Sequence, residues 1–495
     1  MNAPVGAVDV DGAGRGHGSP EAPEGSEARW RAFVVVAPAI FITFLDMFIV
    51  NIAFPDILRD FKGSSISELS WVLNGYTIVF AALLVPMGKL GDVIGRRRVF
   101  QIGTLLFVTA SALSAVAPSP GFLIGARVLQ GVGAAAITPT SLGLVLPLFP
   151  ANQRAAAIGA WAALGGVGAA MGPPLGGLLT EGSWRWIFIV NIPIGLVTIA
   201  LVQRRLREVR DSGALLPDAI GSMLAVTSVG LLVLGLVQGH TWNWDTRPIA
   251  CFAGALVLGI GFVARSLRHR APVIELDLFK SVEFSLANAA NLVFYAGFGA
   301  FLLSNVLFLT DVWHYSVLQA GFAFAPSPAL AALFAAISSR FADRLGPALV
   351  GAPGGIIFAV GCAMMTGLGP GRDYVGEYLP AVLLAGSGIG LIVPAFTACA
   401  VRVVPSERLA TGIGGAAAFR QIGVALGVAA FVALFGTPGP TEILDAFDRS
   451  YAVMVAYGVA ASVMLFVLAM LMRGRRPLVA GAGASVMAEV GDRTR

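Results

Sequence analysis

The stretch GKLGDVIGRRRVF, Gly88–Phe100, crowds one Lys, one Asp and three Arg between two apolar runs. The chain as a whole is only 12% charged and 57% hydrophobic, where a soluble protein carries roughly twice that share of charge. A knot of charge between two oily segments reads as a loop held at a membrane face. Its neighbours, 71–88 and 99–117, are each long enough to cross a ~30 Å hydrocarbon core as a helix.

Working outward, further apolar runs lie at 32–55, 121–147, 155–180, 185–203, 217–239, 246–265, 284–310, 316–338, 347–368, 378–401, 410–435 and 451–472. Together these predict an all-α polytopic membrane protein with 14 transmembrane helices. The alternating ~10-residue strands of a transmembrane barrel are not visible. Residues 1–29, rich in Gly, Pro and acid, read as a disordered tail with no cleavable signal, and 473–495 as a second tail.

An even count places both tails on one side. Loops on that side carry Lys89, Arg96–Arg98, Arg204, Arg205, Arg207, Arg210, Arg265, Arg268 and Arg270, among others. The opposite loops carry Arg59, Lys62, Arg185, Arg247, Arg372 and Arg449. The positive-inside rule therefore predicts a plasma membrane protein with both termini cytoplasmic. The net charge of +5 is then a topology signal beside an anionic leaflet of the lipid bilayer, and calls for no nucleic acid.

The chain also repeats itself. LQGVGAAAITP (Leu129–Pro139) lies over LAGSGIGLIVP (Leu384–Pro394), and Gly168 and Gly172 fall on Gly423 and Gly427 at the same offset. SRFADRLG (Ser339–Gly346) echoes the opening stretch, with Arg340 for Lys89, Asp343 for Asp92 and Gly346 for Gly95. Matched helices run the same way, so this is a parallel repeat of two six-helix halves. The division is 1–29 tail, 30–204 first bundle, 205–283 linker with two extra helices, 284–472 second bundle, 473–495 tail. The extra pair at 217–265 has no copy and is expected outside the two-bundle core.

Six plus two plus six helices, with this charged loop after the second, resembles the major facilitator superfamily. More narrowly it is similar to the 14-helix drug:proton antiporters of the EmrB/QacA type, over about residues 30–475. In that family the G-x-L-x-D-x-x-G-R-R loop gates the transporter. The resemblance assigns that task here to Gly88, Lys89, Asp92, Gly95, Arg96 and Arg97, with Asp343 as the second-half echo. It docks Asp92 on the start of a second-half helix near Ala410. Val93 stands where the family often has Arg, which removes one partner of that latch.

Three further motifs carry the mechanism. LDMFIVNIAFP (Leu45–Pro55) holds Asp46, the one acid in the middle of a predicted helix. A central carboxylate costs ~2.5–3.5 kcal/mol on insertion scales, and such groups usually serve function. The motif resembles the first-helix signature of the antiporter branch, which adds Asn51 and Pro55. RVLQGVGAAA (Arg127–Ala136) sets Arg127 and Gln130 on one helix face. Counted from the helix ends, the depths of Asp46 and Arg127 differ by only ~5 Å, so the two can pair. The family assigns this Arg to proton coupling. GAAMGPPLGG (Gly168–Gly177) places Gly168, Gly172 and Gly176 in a small-residue row that admits a close helix, and Pro173 and Pro174 predict a kink. The resemblance ties this motif to antiport.

WVLNGY (Trp71–Tyr76) and WRWIFIVNIPIG (Trp184–Gly195) resemble branch signatures and also suit interfacial aromatic anchors. FRQIG (Phe419–Gly423) puts Arg420 in mid-helix, with no acid in any predicted second-half helix to pair with it, and it is expected to face the central cavity. Cys251, Cys362 and Cys399 lie in apolar runs without pairing or metal spacing. His17, His240, His269 and His314 lie in tails or loops. There is no G-x-x-x-x-G-K-[ST] loop to drive pumping by nucleotide, and no cluster suited to an enzyme or metal site. The expectation is an antiporter for small amphipathic drugs, monomeric, with protons as coupling ion and no cofactor. A metabolite or lipid transporter is the alternative, and a receptor or enzyme a more distant one.

Overall fold

The structure is a computed structural model. It describes residues 26–472 apart from 151–152, 211–212, 214, 403, 405–408 and 440; the two tails otherwise lie outside the described residues. Among the described residues, fourteen helices are long and apolar enough to span a membrane. They are α1 (Glu27–Asp60), α2 (Ile66–Ile94), α3 (Arg96–Ala115), α4 (Pro120–Leu148), α5 (Ala156–Thr180), α6 (Trp186–Arg205) and α7 (Ala219–Gln238). The rest are α8 (Thr246–Ser266), α9 (Val282–Val312), α10 (Val317–Ala342), α11 (Pro347–Met365), α12 (Tyr374–Ala400), α13 (Gly412–Phe435) and α14 (Ile443–Met472). Each matches a segment expected from hydropathy. The first helix begins earlier than the tail boundary at 29 allowed, because Ser26 to Arg29 continue it.

Polar side chains set several starts. Ser119 accepts from the Phe122 N–H with Pro120 at the first helical position, Ser281 caps α9, and Ser316 with Gln319 forms a capping box at α10. We call the side where Glu27 and Met472 lie the tail face and the opposite side the far face.

The repeat is realised as repeated packing. A Cβ on Gly133 would lie 2.7 Å from the Phe107 nitrogen, which brings α4 onto α3. Its counterpart on Gly388 would lie 2.4 Å from the Phe358 nitrogen, which brings α12 onto α11 in the same way. Gly168 meets the α1 backbone at Phe41, and Gly423 meets the α9 backbone at Leu292. Gly95 and Gly346, at φ +117° and +87°, make the same left-handed break after α2 and α10.

The halves meet along α2 with α13, and α5 with α10. The extra pair is not wholly peripheral, which corrects the sequence expectation. α7 packs against both α2 and α13, and its Val233 and Val237 are buried in the main core. An uncopied helix has filled the groove along the seam between the copies. α8 packs on α7 and presents Ile249, Leu256, Val257 and Ile260 outward. Asp218, which caps α7, takes two hydrogen bonds from Arg265 at the end of α8 (2.7 and 2.9 Å) and closes the hairpin at the tail face.

Candidate functional site

Asp46 lies midway along α1 and is 0% exposed. An isolated carboxylate cannot stay there, and three neighbours solvate it. Arg127 Nη1 donates to Oδ2 at 2.5 Å. Gln130 Nε2 and Asn191 Nδ2 both donate to Oδ1, at 2.8 and 3.1 Å. Arg127 also donates to Gln130 Oε1 (2.6 Å) and, through Nε, to the Val72 carbonyl (3.1 Å). Its guanidinium lies 4.2 Å from the Tyr76 ring centre. Ser111 accepts from Gln130 at 2.9 Å and closes the network on α3.

Glycines make this convergence possible. A Cβ on Gly131 would lie 2.7 Å from the Tyr76 carbonyl oxygen, so α2 and α4 touch where Tyr76 meets Arg127. The contact of α3 with α4 at Gly133 brings Ser111 to Gln130. The site therefore draws one or two groups from each of α1, α2, α3, α4 and α6. It is a buried cluster of the first half, net neutral with Asp46 ionised, and protonation of Asp46 must break a charge-assisted hydrogen bond.

Of the residues singled out from sequence, the structure brings together Asp46, Arg127 and Gln130. Asn51 is not part of the group: it donates to the Met47 carbonyl of its own helix at 3.1 Å. Arg420 lies in the other half, beside the Tyr295 ring at 5.8 Å. Asn191 and Ser111 were not foreseen. Asn191 sits inside WRWIFIVNIPIG, a motif read for its aromatics; Trp184 and Arg185 there do bind Asp60 at the far face, at 2.9 and 2.8 Å.

The charges of the gating loop have partners close by. Asp92 accepts from Arg96 Nε at 2.7 Å, and Arg96 Nη1 donates to the Gly143 carbonyl at 2.7 Å. Side chains at the start of α13, where Asp92 was expected to dock, lie outside the described residues, as does that of Asp343. Lys89 reaches the Pro272 carbonyl at 2.7 Å. Arg97 donates to the Leu206 carbonyl at 3.0 Å, so it ties down the linker. Glu208 accepts from the backbone N–H groups of Arg97 and Arg98 (2.8 and 3.2 Å) and so caps α3. A Cβ on Gly95 would lie 2.5 Å from the Glu208 carboxyl carbon.

Gly168, Gly172 and Gly176 pack α5 on α1 at Phe44, Phe48 and Ile52. The helix runs through Pro173 and Pro174 without a break. Beyond them the two halves touch by backbone. A Cβ on Gly177 would lie 2.8 Å from Leu318 Cα, and one on Gly321 2.4 Å from the Pro173 oxygen.

Two six-helix bundles that repeat each other in parallel, the first holding a membrane-buried ion pair, have the architecture of a secondary transporter. The sequence profile of the Major Facilitator Superfamily matches residues 36–428, and the chain belongs to that family. It is a multi-pass membrane transporter rather than an enzyme. It is similar to the probable actinorhodin transporter of Streptomyces coelicolor, 32% identical over 93% of this chain and 82% of that protein. It is similar also to the puromycin resistance protein pur8 of Streptomyces alboniger, 33% identical over 89% of this chain and 90% of that one. The multidrug resistance protein Stp of Mycobacterium tuberculosis is 34% identical over 79% of this chain and 73% of that protein. Among solved structures, a D-xylose–proton symporter superposes with TM-score 0.64 over 88% of this chain and 97% of that one, at 14% identity. That likeness concerns the fold alone.

Proposed function

We propose that the protein is a proton-coupled exporter of antibiotic-like or other drug-like small molecules, working as a single chain in the plasma membrane with both ends cytoplasmic. The observation that carries the coupling is the buried Asp46–Arg127 pair with its Gln130 and Asn191 donors. Relatives named for antibiotic and multidrug resistance support the export reading. The distribution of Lys and Arg supports the orientation.

In this reading Asp46 alternates between two states. Ionised, it holds three hydrogen bonds. Protonated, it loses its claim on Arg127, and its O–H needs an acceptor. Asn191 Oδ1, buried and without a hydrogen-bond partner, supplies one after a turn of the amide. Release of Arg127 loosens α4 from α1, and the first half relaxes toward the other access state. Protons entering from the far face and leaving at the tail face would drive export. No cofactor takes part.

The test is direct. Cells making the protein are screened for survival and efflux against many compounds, with and without a protonophore. Wild type should export in a gradient-dependent way, and Asp46→Asn should reach the membrane but lose export. Export that survives collapse of the gradient, or that Asp46→Asn leaves at the wild-type rate, refutes proton coupling through this site.

A further inference from the structure

Arg420 lies within α13, eight residues from Gly412 and 15 from Phe435. At 1.5 Å per residue it is about 12 Å or more from either helix end. It is half-buried, and among the described residues no carboxylate pairs with it. Its aromatic neighbour is Tyr295. Among the described residues, Asp46 and Arg127, also placed well inside their helices, neutralise each other in the first half.

The surroundings face the seam between the halves. On the next residue, Gln421 touches Met47 Sδ of α1 at 3.6 Å, and its Oε1 is buried without a hydrogen-bond partner. Tyr295 packs on Phe298, and Phe298 meets Phe48 of α1 across the seam at 6.2 Å. The result is an apolar, aromatic environment with one unneutralised guanidinium and, among the described residues, no acid against it. A half-buried cation within a membrane helix is costly without a counter-ion, and an anion would complete the arrangement.

We infer that Arg420 is the receptor for the substrate's negative charge, and that the preferred substrates are aromatic anions such as ionised phenols, carboxylates or sulfonates. The assignment rests on the export reading above and deepens it by naming the charge class. A guanidinium offers five N–H donors in a planar fork suited to such oxygens, while the aromatic rings take the flat frame. A cationic drug meets no free counter-charge on this surface and is repelled by the arginine. The charge count follows. Expelling a monoanion as one proton enters moves two elementary charges per cycle, whereas a monocation exchanged for a proton moves none.

Purified full-length protein in proteoliposomes distinguishes these cases with two dyes of one frame, cationic rhodamine 6G and anionic sulforhodamine G. Under a proton gradient, wild type should accumulate the sulfonate, faster with a lumen-positive potential, and rhodamine 6G weakly. Arg420→Gln should raise half-saturation for the sulfonate at least tenfold, and Arg420→Lys should recover part of it. Unchanged proton-driven uptake of rhodamine 6G in Arg420→Gln, with no uptake of the sulfonate, leaves export standing and overturns the anion assignment. Sulfonate uptake that Arg420→Gln leaves unchanged overturns it too. Uptake of neither dye overturns it, and if the efflux screen is also negative the export reading falls with it. Equal thermal stability of the three proteins keeps a folding defect from mimicking either result.

Discussion

A carboxylate and a guanidinium in oil are costly apart and stable together, so the first half can be tested one atom at a time. Replacing Asp46 by Asn keeps the shape but strands Arg127 at 1% exposure, and removing one member of a buried pair costs about 3–5 kcal/mol. Loss of coupling should therefore come with a lower unfolding temperature in detergent, and Arg127→Gln in the same background should restore stability without restoring coupling. Asn191→Ala removes one hydrogen bond of three and should cost about 1–3 kcal/mol. It should slow proton release on drug addition while drug binding persists; unaltered release kinetics would make the amide a bystander. Asp46, Arg127 and Gln130 were legible in the sequence because charge within an apolar run is conspicuous and helical spacing fixes its depth. Asn191 and Ser111 were not, since amides and hydroxyls are common in membrane helices and only tertiary packing tells which of them meet. Asn51 was misplaced for a related reason: its motif lies in the right helix, but its side chain turns back on the helix backbone.

At the scale of elements, the inserted hairpin has two unlike members. Burial pushes the Asp218 carboxyl up, yet the Gly221 N–H, the Arg265 guanidinium and the nearby His269 together pull it further down, so it titrates below the usual carboxylate value of 3.8. A lowered native pKa means the bridge is fully stabilising above that range and is lost as pH falls through the lower native value. Hairpin bracing should hold to below pH ~4. Asp218→Asn should weaken it at neutral pH by on the order of 2 kcal/mol, less than a fully buried pair because Arg265 stays 33% exposed. Limited proteolysis at the 266–281 linker reads this out; equal cleavage of wild type and variant at neutral pH would remove the bridge from the argument. Periodicity revealed both inserted helices and their lack of a copy. It could not reveal that α7 lies in the seam, because a lipid-facing and a seam-facing membrane helix are equally apolar. Bulky polar substitutions at Val237 should accordingly destabilise the whole protein, while the same changes at Val257 on α8 should pass with little effect on its unfolding temperature.

For the whole molecule, the proposed alternation of access puts the far-face contact between the halves to the test. α5 and α10 belong to different halves, and at Gly177 and Gly321 they approach by backbone, with no flexible side chain between them. A side chain on Gly321 would point at the Pro173 carbonyl, whose Cβ distance of 2.4 Å is far inside van der Waals contact. The α5 helix cannot back away from that clash, since Gly172 and Gly176 hold it against α1 over the same turns. The relief available is separation of the two halves at this end. Overpacking costs typically 1–3 kcal/mol, and about 1.4 kcal/mol is a tenfold change in a two-state equilibrium. Gly321→Val should thus shift the population toward the state open at the far face by roughly ten- to a hundredfold. A cysteine placed at Leu318 should react faster with a membrane-impermeant thiol reagent added from that side, and transport should slow because the return to the closed state is penalised. If Leu318→Cys reacts at the same rate with Gly or Val at 321, the clash is absorbed within α10, and the closed end is not held by this contact.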